Sequence, residues 1–150
     1  MIYTDNTKKA LKIMFEKHKD QVDKSGIPYA YHPLHVAEEM TDEDSTIVAL
    51  LHDVVEDTDT TFEEVESYGF SQNVIDALKL LTHTNDVEYE DYIRNISTND
   101  LARKVKLADL RHNMDTSRLN EITSKDIARY EKYKKSYEYL ENIPSKNSNN

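Results

Sequence analysis

The sequence contains few of the residues that cross-link or interrupt a chain. It has no cysteine, which excludes a disulfide framework, and its 150 residues include only two glycines and three prolines. With so few breakers, long uninterrupted elements are favoured, and the length fits one compact domain. The sequence therefore predicts a single all-α domain, built as a compact helical bundle.

Long apolar runs are missing as well. No run is long enough to span a membrane, and residues 1–9 contain no apolar signal segment. We therefore expect a soluble cytoplasmic protein without membrane association. The stretch 144–150, Pro-Ser-Lys-Asn-Ser-Asn-Asn, is predicted to be a disordered tail to a domain that spans residues 1–143.

Positive charge is scarce relative to negative charge. Nineteen Lys and Arg stand against 29 Asp and Glu, for a formal net charge of −10. Affinity for a phosphate backbone needs a basic face, so this balance argues against a general nucleic-acid binder. A small anionic ligand remains compatible if a bound cation and a few Lys or Arg residues bridge to it. We therefore expect a small-molecule partner and no nucleic acid, and the pattern leaves the oligomeric state open.

Apolar spacing and cap residues predict where the helices lie. The predicted helices cover about residues 5–22, 32–40, 44–57, 61–68, 71–82, 88–96, 100–116 and 124–141. In the last helix, Tyr130, Tyr133 and Tyr137 recur at spacings of three and four. We interpret these tyrosines as packing residues with solvated hydroxyls rather than as a binding site.

One stretch in the third predicted helix carries the strongest chemical signal. The apolar run 47–55 would normally be a buried element, but His52 and Asp53 interrupt it, and Glu56 and Asp57 follow at once. On a helix, residues four apart share a face, so His52 would lie over Glu56 and Asp53 over Asp57. Uncompensated buried charges are costly. A divalent cation among these groups is the simplest solution.

Two other helices offer further metal-type ligands. His32 stands at the start of the second helix, beside apolar residues, and Asp109 lies within the helix 100–116. Asp109, Asn113 and Thr116 form a polar stripe, with the cation of Lys106 one turn earlier. The sequence therefore predicts a metal site formed by two imidazoles and two carboxylates: His32, His52, Asp53 and Asp109.

This ligand set suits Mn²⁺, Fe²⁺ or Zn²⁺ better than Ca²⁺, which prefers oxygen ligands alone. Such an ion acidifies water and polarises a phosphoryl group, and Glu56 and Asp57 could orient that water or carry protons. Taken residue by residue, the ordinary alternative is that His52 and Asp53 form a satisfied buried pair and that Asp109 caps a helix or makes an ion pair. The coincidence of all these residues favours the metal site.

The remaining histidines lack a comparable context. His18, His35 and His83 are interpreted as structural or solvent-exposed residues. His112 projects about 100° away from the adjacent Asn113 on a helix, so it cannot lie squarely on the Asp109 stripe. We expect it to pack beside the ligands or to hydrogen-bond one of them.

Three motifs resemble a known family. They are His32-Pro-Leu, Ala49-Leu-Leu-His-Asp-Val-Val-Glu-Asp-Thr58 and Lys106-Leu-Ala-Asp-Leu-Arg-His-Asn-Met114. They look like the HD-domain hydrolases of the Rel/Spo alarmone family, especially the small stand-alone forms, and the likeness covers about residues 24–116. The resemblance implies an all-helical bundle with one metal ion, usually Mn²⁺. It also implies removal of pyrophosphate from the 3′ position of (p)ppGpp.

The resemblance also implies roles for individual residues. It carries metal ligation to the four residues named above, and water positioning and activation to Glu56 and Asp57. It places Asn113 against the nucleotide, Lys24 and Ser25 in the loop that packs against base and sugar, and Thr116 at the pocket edge. In the mechanism that we expect, Lys24 and Lys106 offset phosphate charge, and Arg111 does so only if it still faces the pocket.

Two positions depart from the family pattern. Asp23 stands where the family commonly has an Arg whose planar cation lies on guanine, and an acid cannot stack on a base in that way. The order Asp-Leu-Arg-His here, in place of Asp-Arg-Leu-His, points Arg111 elsewhere. These departures leave open an HD-type phosphatase or pyrophosphatase for another nucleotide. A third interpretation is a metal-stabilised nucleotide sensor or partner-binding protein without catalysis.

Overall fold

The structure, a computed structural model, describes residues 1–144, so residues 145–150 of the predicted tail lie outside it. The described chain forms nine α-helices, and its strand-like structure is limited to an isolated bridge between Val22 and Pro28. The helices are α1 (Asp5–His18), α2 (Tyr31–Glu38), α3 (Glu43–Leu51), α4 (Val54–Asp57), α5 (Phe62–Ser67), α6 (Gln72–Leu81), α7 (Tyr89–Ile96), α8 (Asp100–Met114) and α9 (Ser124–Glu141). The predicted all-α class is confirmed. No helix within residues 1–144 is both long and apolar enough to cross a bilayer.

Polar side chains fix the starts of several helices. Thr4 and Thr123 form capping boxes at α1 and α9, and the side chains of Asp42, Ser71 and Asn99 accept backbone N–H groups at α3, α6 and α8. Each such cap satisfies a donor that the helix itself leaves unpaired. At α1 the cap is Thr4, one residue before the predicted start of the helix, and the Thr7 hydroxyl donates to the carbonyl oxygen of Ile2.

Helix α3 is the centre of the bundle. Every residue from Ser45 to Leu51 is buried, and α1, α2, α6 and α8 all pack against it. A helix surrounded on all sides is apolar all round rather than amphipathic, which explains the continuous apolar run in the sequence. A polar side chain that follows the last residue of α3 therefore lies in the interior of the protein.

The third predicted helix is divided in two by its chemically active residues. Helix α3 ends at Leu51, and Asp53 has φ −104° and ψ 0°, outside helical geometry, before α4 begins at Val54. This sparsely populated backbone region is common at functional sites. The Asp57 N–H still donates to the Asp53 carbonyl at 2.9 Å. The single helix predicted over this stretch is therefore wrong, although its last turn keeps the spacing of four.

Candidate metal centre and adjoining cavity

Four side chains from three separate segments meet at one point. His32 from α2, His52 and Asp53 from the break after α3, and Asp109 from α8 each offer one ligand atom, and these atoms all lie within 4.8 Å of one another. The two histidines and Asp109 are buried, and Asp53 is 16% exposed. The structure thus brings together all four residues that the sequence predicted as metal ligands.

The orientation of His52 suits a metal ligand. Its Nδ1 lies 2.6 Å from the carbonyl oxygen of Ala49, and a carbonyl can only accept, so Nδ1 carries the proton and donates. In the neutral ring, Nε2 then carries a lone pair and no proton. This atom is fully buried and makes no directed hydrogen bond, although oxygens of Asp53 and Asp109 lie 3.1 and 3.4 Å away. A buried lone pair facing two carboxylates fits a divalent cation between them.

His32 completes the set from the other side. Its Nε2 lies 2.8 Å from Oδ1 of Asp109 and 3.5 Å from Oδ2 of Asp53. Its Nδ1 lies 2.6 Å from Nδ1 of His112, and the ring of His35 stacks on His112 with centroids 4.2 Å apart. The expectation that His112 would hydrogen-bond a ligand residue agrees with this geometry, and His35, which the sequence left without a role, belongs to the same group of rings.

The carboxylates at the centre are held ionised. Burial alone would raise the pKa of Asp109, but the ammonium of Lys106, 2.9 Å away, and the two neighbouring imidazoles lower it well below its usual range. The pKa of Asp53 is likewise lowered against burial, chiefly by His52. Burial would lower the pKa of His52, yet Asp53 and Asp109 raise it well above normal. The pocket thus favours positive charge at its centre.

Glu56 and Asp57 lie at the edge of the centre and have the opposite shift. Partial desolvation, followed by the negative charge of Asp53, raises the pKa of Asp57, and partial desolvation also raises the pKa of Glu56, although both residues are still exposed. Glu56 accepts a hydrogen bond of 2.7 Å from the His83 backbone N–H, and carboxylate oxygens of Asp53, Glu56 and Asp57 lie within 4.8 Å of one another. Carboxylates with raised pKa values beside a cation site are suited to proton transfer.

Tyr29 is the residue of the centre that the sequence interpretation missed. Its hydroxyl lies 2.6 Å from Asp53 Oδ2 and 3.2 Å from Asp57 Oδ2, so it links the ligand carboxylate to the outer one. Burial and these carboxylates raise the pKa of Tyr29, which keeps its proton available for donation. The available signal was its position between Pro28 and the first ligand, His32.

A cavity of about 220 Å³ adjoins the centre. His32 and Tyr29 form part of its wall, so the cavity and the candidate metal centre share these two residues. Among the residues that the sequence predicted for substrate binding, Lys24, Ser25, Asn113 and Thr116 line this cavity. Asn113 also donates to Asp109 Oδ1 at 3.0 Å. Lys106 pairs with Asp109 instead of lining the cavity, and its ammonium lies 5.3 Å from the centroid of the Tyr92 ring.

Side chains of both charges line the cavity. The Asp23 side chain accepts the backbone N–H groups of Ser25 and Ile27 through Oδ1, and Arg118 approaches its Oδ2 at 3.3 Å. Arg118 was not singled out in the sequence, because it lies in the segment after α8, outside any motif. A guanidinium therefore reaches the cavity from this segment, beside the acid at position 23.

The structure also shows where Arg111 and the tyrosines of α9 lie. Arg111 does not line the cavity: it pairs with Glu39 at 3.0 Å and lies 3.3 Å from the Tyr137 hydroxyl, so the reordered motif points it to the outer surface. Tyr133 and Tyr137 pack against the core as the sequence predicted. Tyr130 and Tyr133 in addition line the cavity. The reason is that α9 packs on α8 and covers the cavity with its first turns.

The chain is similar to a described protein family and to several named proteins. Residues 10–119 match the family described as HD domain. The guanosine-3′,5′-bis(diphosphate) 3′-pyrophosphohydrolase MESH1 of Danio rerio is 40% identical over 113 residues, covering 66% of this chain and 62% of that protein. The protein of the same name from Drosophila melanogaster is 32% identical over 130 residues, covering 78% and 72%.

A longer relative and a relative of known structure give matches of the same kind. The guanosine-3′,5′-bis(diphosphate) 3′-pyrophosphohydrolase of Aquifex aeolicus is 36% identical over 92 residues, but this chain spans only 13% of its length. A solved structure described as "A metazoan ortholog of SpoT hydrolyzes ppGpp and plays a role in starvation responses" has a TM-score of 0.78 and 27% identity, covering 97% of this chain and 90% of that one.

The family match spans more than half of the chain, and it contains all four residues of the candidate metal centre. The solved relative shares the all-helical arrangement over almost the whole chain. The chain therefore belongs to the HD-domain family, and its relatives are of the MESH1 and SpoT type.

Proposed function

We propose that this protein is a metal-dependent phosphohydrolase that removes pyrophosphate from the 3′ position of guanosine alarmones, (p)ppGpp. The observation that carries the proposal is the meeting of His32, His52, Asp53 and Asp109 beside a cavity whose wall includes three cationic and three acidic side chains. The names of the MESH1 relatives support the choice of substrate.

The four residues would hold one divalent ion, for which we propose Mn²⁺, with Fe²⁺ or Zn²⁺ as alternatives of the same ligand preference. When bound, the ion would polarise a phosphoryl oxygen and acidify water at the site. Lys106 contributes by keeping Asp109 ionised and fixed through its contact of 2.9 Å. Ala49 contributes by holding the proton of His52 on Nδ1, away from the ligand atom.

Proton transfer would fall to the outer carboxylates. Hydrolysis requires that water lose a proton as it attacks the 3′-phosphoryl phosphorus, and that the departing 3′ oxygen gain one. Asp57, linked to the centre through Tyr29, and Glu56, fixed by the His83 N–H, are the carboxylates placed to exchange these protons. Their raised pKa values match the acceptance of a proton from water more closely than ordinary carboxylates would.

The cavity would bind the nucleotide. Lys24, Arg118 and Arg129 supply positive charge that is matched by Asp23 and Asp126 in the free protein. A phosphorylated ligand can compete for these cations, since Lys24, Arg118 and Arg129 all keep part of their side chains open to solvent. Arg118 places a planar cation next to Asp23, and we propose that it takes the role of the arginine that the family commonly has at position 23.

A direct assay tests the proposal. Purified protein is incubated with Mn²⁺ and ppGpp, and the products are separated and measured. We expect GDP and pyrophosphate in equal amounts. No release of pyrophosphate from protein with full metal content would reject the substrate, while leaving the metal site standing.

A second candidate keeps the site and changes the nucleotide. Asp23 favours it, because a carboxylate in the cavity wall changes what the base meets. The same assay with an adenine alarmone and with nucleoside mono-, di- and triphosphates decides between them. Faster release from one of these than from ppGpp would favour the second candidate.

The proposal also covers the cellular compartment, the physiological role and the domain boundary. We propose that the protein acts in the cytoplasm, in the stringent response, and that residues 1–143 form the catalytic domain. The disordered tail at 144–150 stays a prediction. Measuring (p)ppGpp in starved cells with and without the protein tests the physiological role, and a truncation after Ile143 that keeps full activity would support the domain boundary.

A further inference from the structure

The contact between His32 and His112 has an unusual geometry. The two Nδ1 atoms lie 2.6 Å apart, the ring centroids are 4.9 Å apart, and the ring planes differ by only 14°. Nitrogen atoms this close, on rings whose centres are much further apart, require the rings to meet edge to edge in nearly one plane. That is the geometry of a directed N–H···N hydrogen bond rather than of face-to-face stacking.

Such a contact holds a single proton between the two nitrogen atoms. Two bare nitrogens would oppose their lone pairs, and two N–H groups would oppose their protons. Either His32 donates to His112 or His112 donates to His32. The hydrogen bond alone does not distinguish these tautomers.

The other nitrogen of His32 decides the direction. In the metal-free protein His32 Nε2 lies 2.8 Å from Oδ1 of Asp109 and donates its proton to that carboxylate, and a bound ion would displace this proton. An imidazole can bind a metal only through a bare nitrogen. With Nε2 bare, neutral His32 must carry its proton on Nδ1, and it then donates to His112.

We propose that His112 is a positioning residue of the metal centre: its bare Nδ1 accepts the His32 proton and so keeps His32 Nε2 free for the ion. The inference rests on the proposed metal site and extends it to a residue that contacts neither ion nor substrate. A neutral acceptor suits this place, because Asp53, Asp109, Glu56 and Asp57 already surround the centre with carboxylates. An acidic partner for His32 would add a further negative charge.

His35 provides a matched control. It stacks on His112 with centroids 4.2 Å apart and is exposed, so it packs against the same ring without joining the hydrogen bond at His32. If the role of His112 were packing alone, loss of His35 would disturb the centre in a similar way.

The first experiment reads the tautomers directly. In Zn²⁺-loaded protein labelled with ¹⁵N at histidine, the ring nitrogen shifts and their long-range proton couplings report which nitrogen carries the proton. We expect His32 protonated at Nδ1, and His112 bare at Nδ1 and protonated at Nε2. A proton on Nδ1 of His112 in the metal-loaded protein would overturn the inference.

The second experiment measures metal affinity by equilibrium dialysis with Mn²⁺ and with Zn²⁺. His112→Leu removes the acceptor, and we expect the dissociation constant to rise about 10–100-fold. His112→Asn can place its side-chain oxygen where Nδ1 lies, so it should recover most of the lost affinity. His35→Leu should bind as the wild type does.

The outcomes separate this inference from the proposed function. Wild-type affinity in His112→Leu, an Asn variant as weak as the Leu variant, or an equal loss in His35→Leu would each overturn the role of His112 while leaving the metal site in place. A wild-type protein that binds no divalent ion would instead overturn the metal-dependent function, and this inference with it. Neither measurement depends on which nucleotide is hydrolysed.

Discussion

The hydroxyl of Tyr29 lies 2.6 Å from Oδ2 of Asp53, which ties the segment before α2 to the break between α3 and α4. The same hydroxyl lies 3.2 Å from Asp57. One side chain thus sets the spacing between a proposed metal ligand and a proposed proton carrier, although neither is its neighbour in sequence.

Replacing Tyr29 by Phe removes the donor and leaves the ring. Hydrogen bonds to charged groups contribute about 1.5–3 kcal/mol, and because the site is partly exposed we expect a loss of stability near the lower end of that range. Urea denaturation of the metal-free protein measures it. Tyr139→Phe, at an exposed position of α9, is the control and should cost nothing measurable. Equal stability of the two variants would contradict the assigned role.

Asp57→Asn removes a carboxylate that we propose exchanges protons, with little change of shape. Because general acid–base catalysis typically contributes 10²–10⁴-fold, we expect kcat to fall by at least about 100-fold. Metal content, measured by elemental analysis, should not change. Asp59→Asn, two residues away and exposed, is the matched control. Hydrolysis retained in Asp57→Asn would show that another group takes the proton.

Metal binding should stabilise the folded protein. An ion at 100 times its dissociation constant adds about 2.7 kcal/mol to the free energy of unfolding, because it binds only the native centre. We expect Mn²⁺ to raise the thermal midpoint of the wild type. In His52→Asn, the amide can keep the hydrogen bond to the Ala49 carbonyl but lacks Nε2, so the midpoint should no longer respond. A full response in this variant would place the ion elsewhere.

Arg118→Gln should weaken nucleotide binding. The variant removes the guanidinium beside Asp23 but leaves the metal ligands intact, so we expect a higher KM for ppGpp with little change in metal affinity. Arg94→Gln, in an exposed ion pair with Asp91, is the control. An unchanged KM in Arg118→Gln would mean that the nucleotide does not reach the segment after α8.

Asp42 should make the stability of the α3 start depend on pH. Burial opposes the shift, but hydrogen bonds from Ser45 and the charge of Lys104 lower the pKa of Asp42 in the folded state. A lowered pKa stabilises the fold above the unperturbed value of about 3.9, and this contribution is lost as pH falls through the folded-state pKa.

Asp42→Asn keeps a capping side chain without the charge. The difference in stability between wild type and this variant should be constant near neutral pH and should shrink as the pH falls below about 4. Asp42→Ala, which loses the cap itself, should cost about 1 kcal/mol at neutral pH. A wild-type advantage that grew on acidification would contradict the assigned shift.

The helices were predictable because their signals are local. Thr123 and Ser71 begin helices close to where the sequence placed them, and Gly69, with φ +81°, follows α5 as expected. The break at His52 and Asp53 was not predictable, because the apolar spacing continues across it. The helix is interrupted there for a short stretch, and the packing of α3 inside the bundle compensates for the backbone hydrogen bonds that are lost.

The sequence by itself determined the helical class, the residues that could bind a metal and the acid pair one turn beyond them, since these depend on residue type and on spacing along the chain. The tertiary structure alone decided which groups meet across large sequence separations: Tyr29 with Asp53, His32 with His112 and Asp23 with Arg118. The physical reason is that caps and helical periodicity act over a few residues. Contacts 24, 80 and 95 residues apart arise only when the bundle packs around α3.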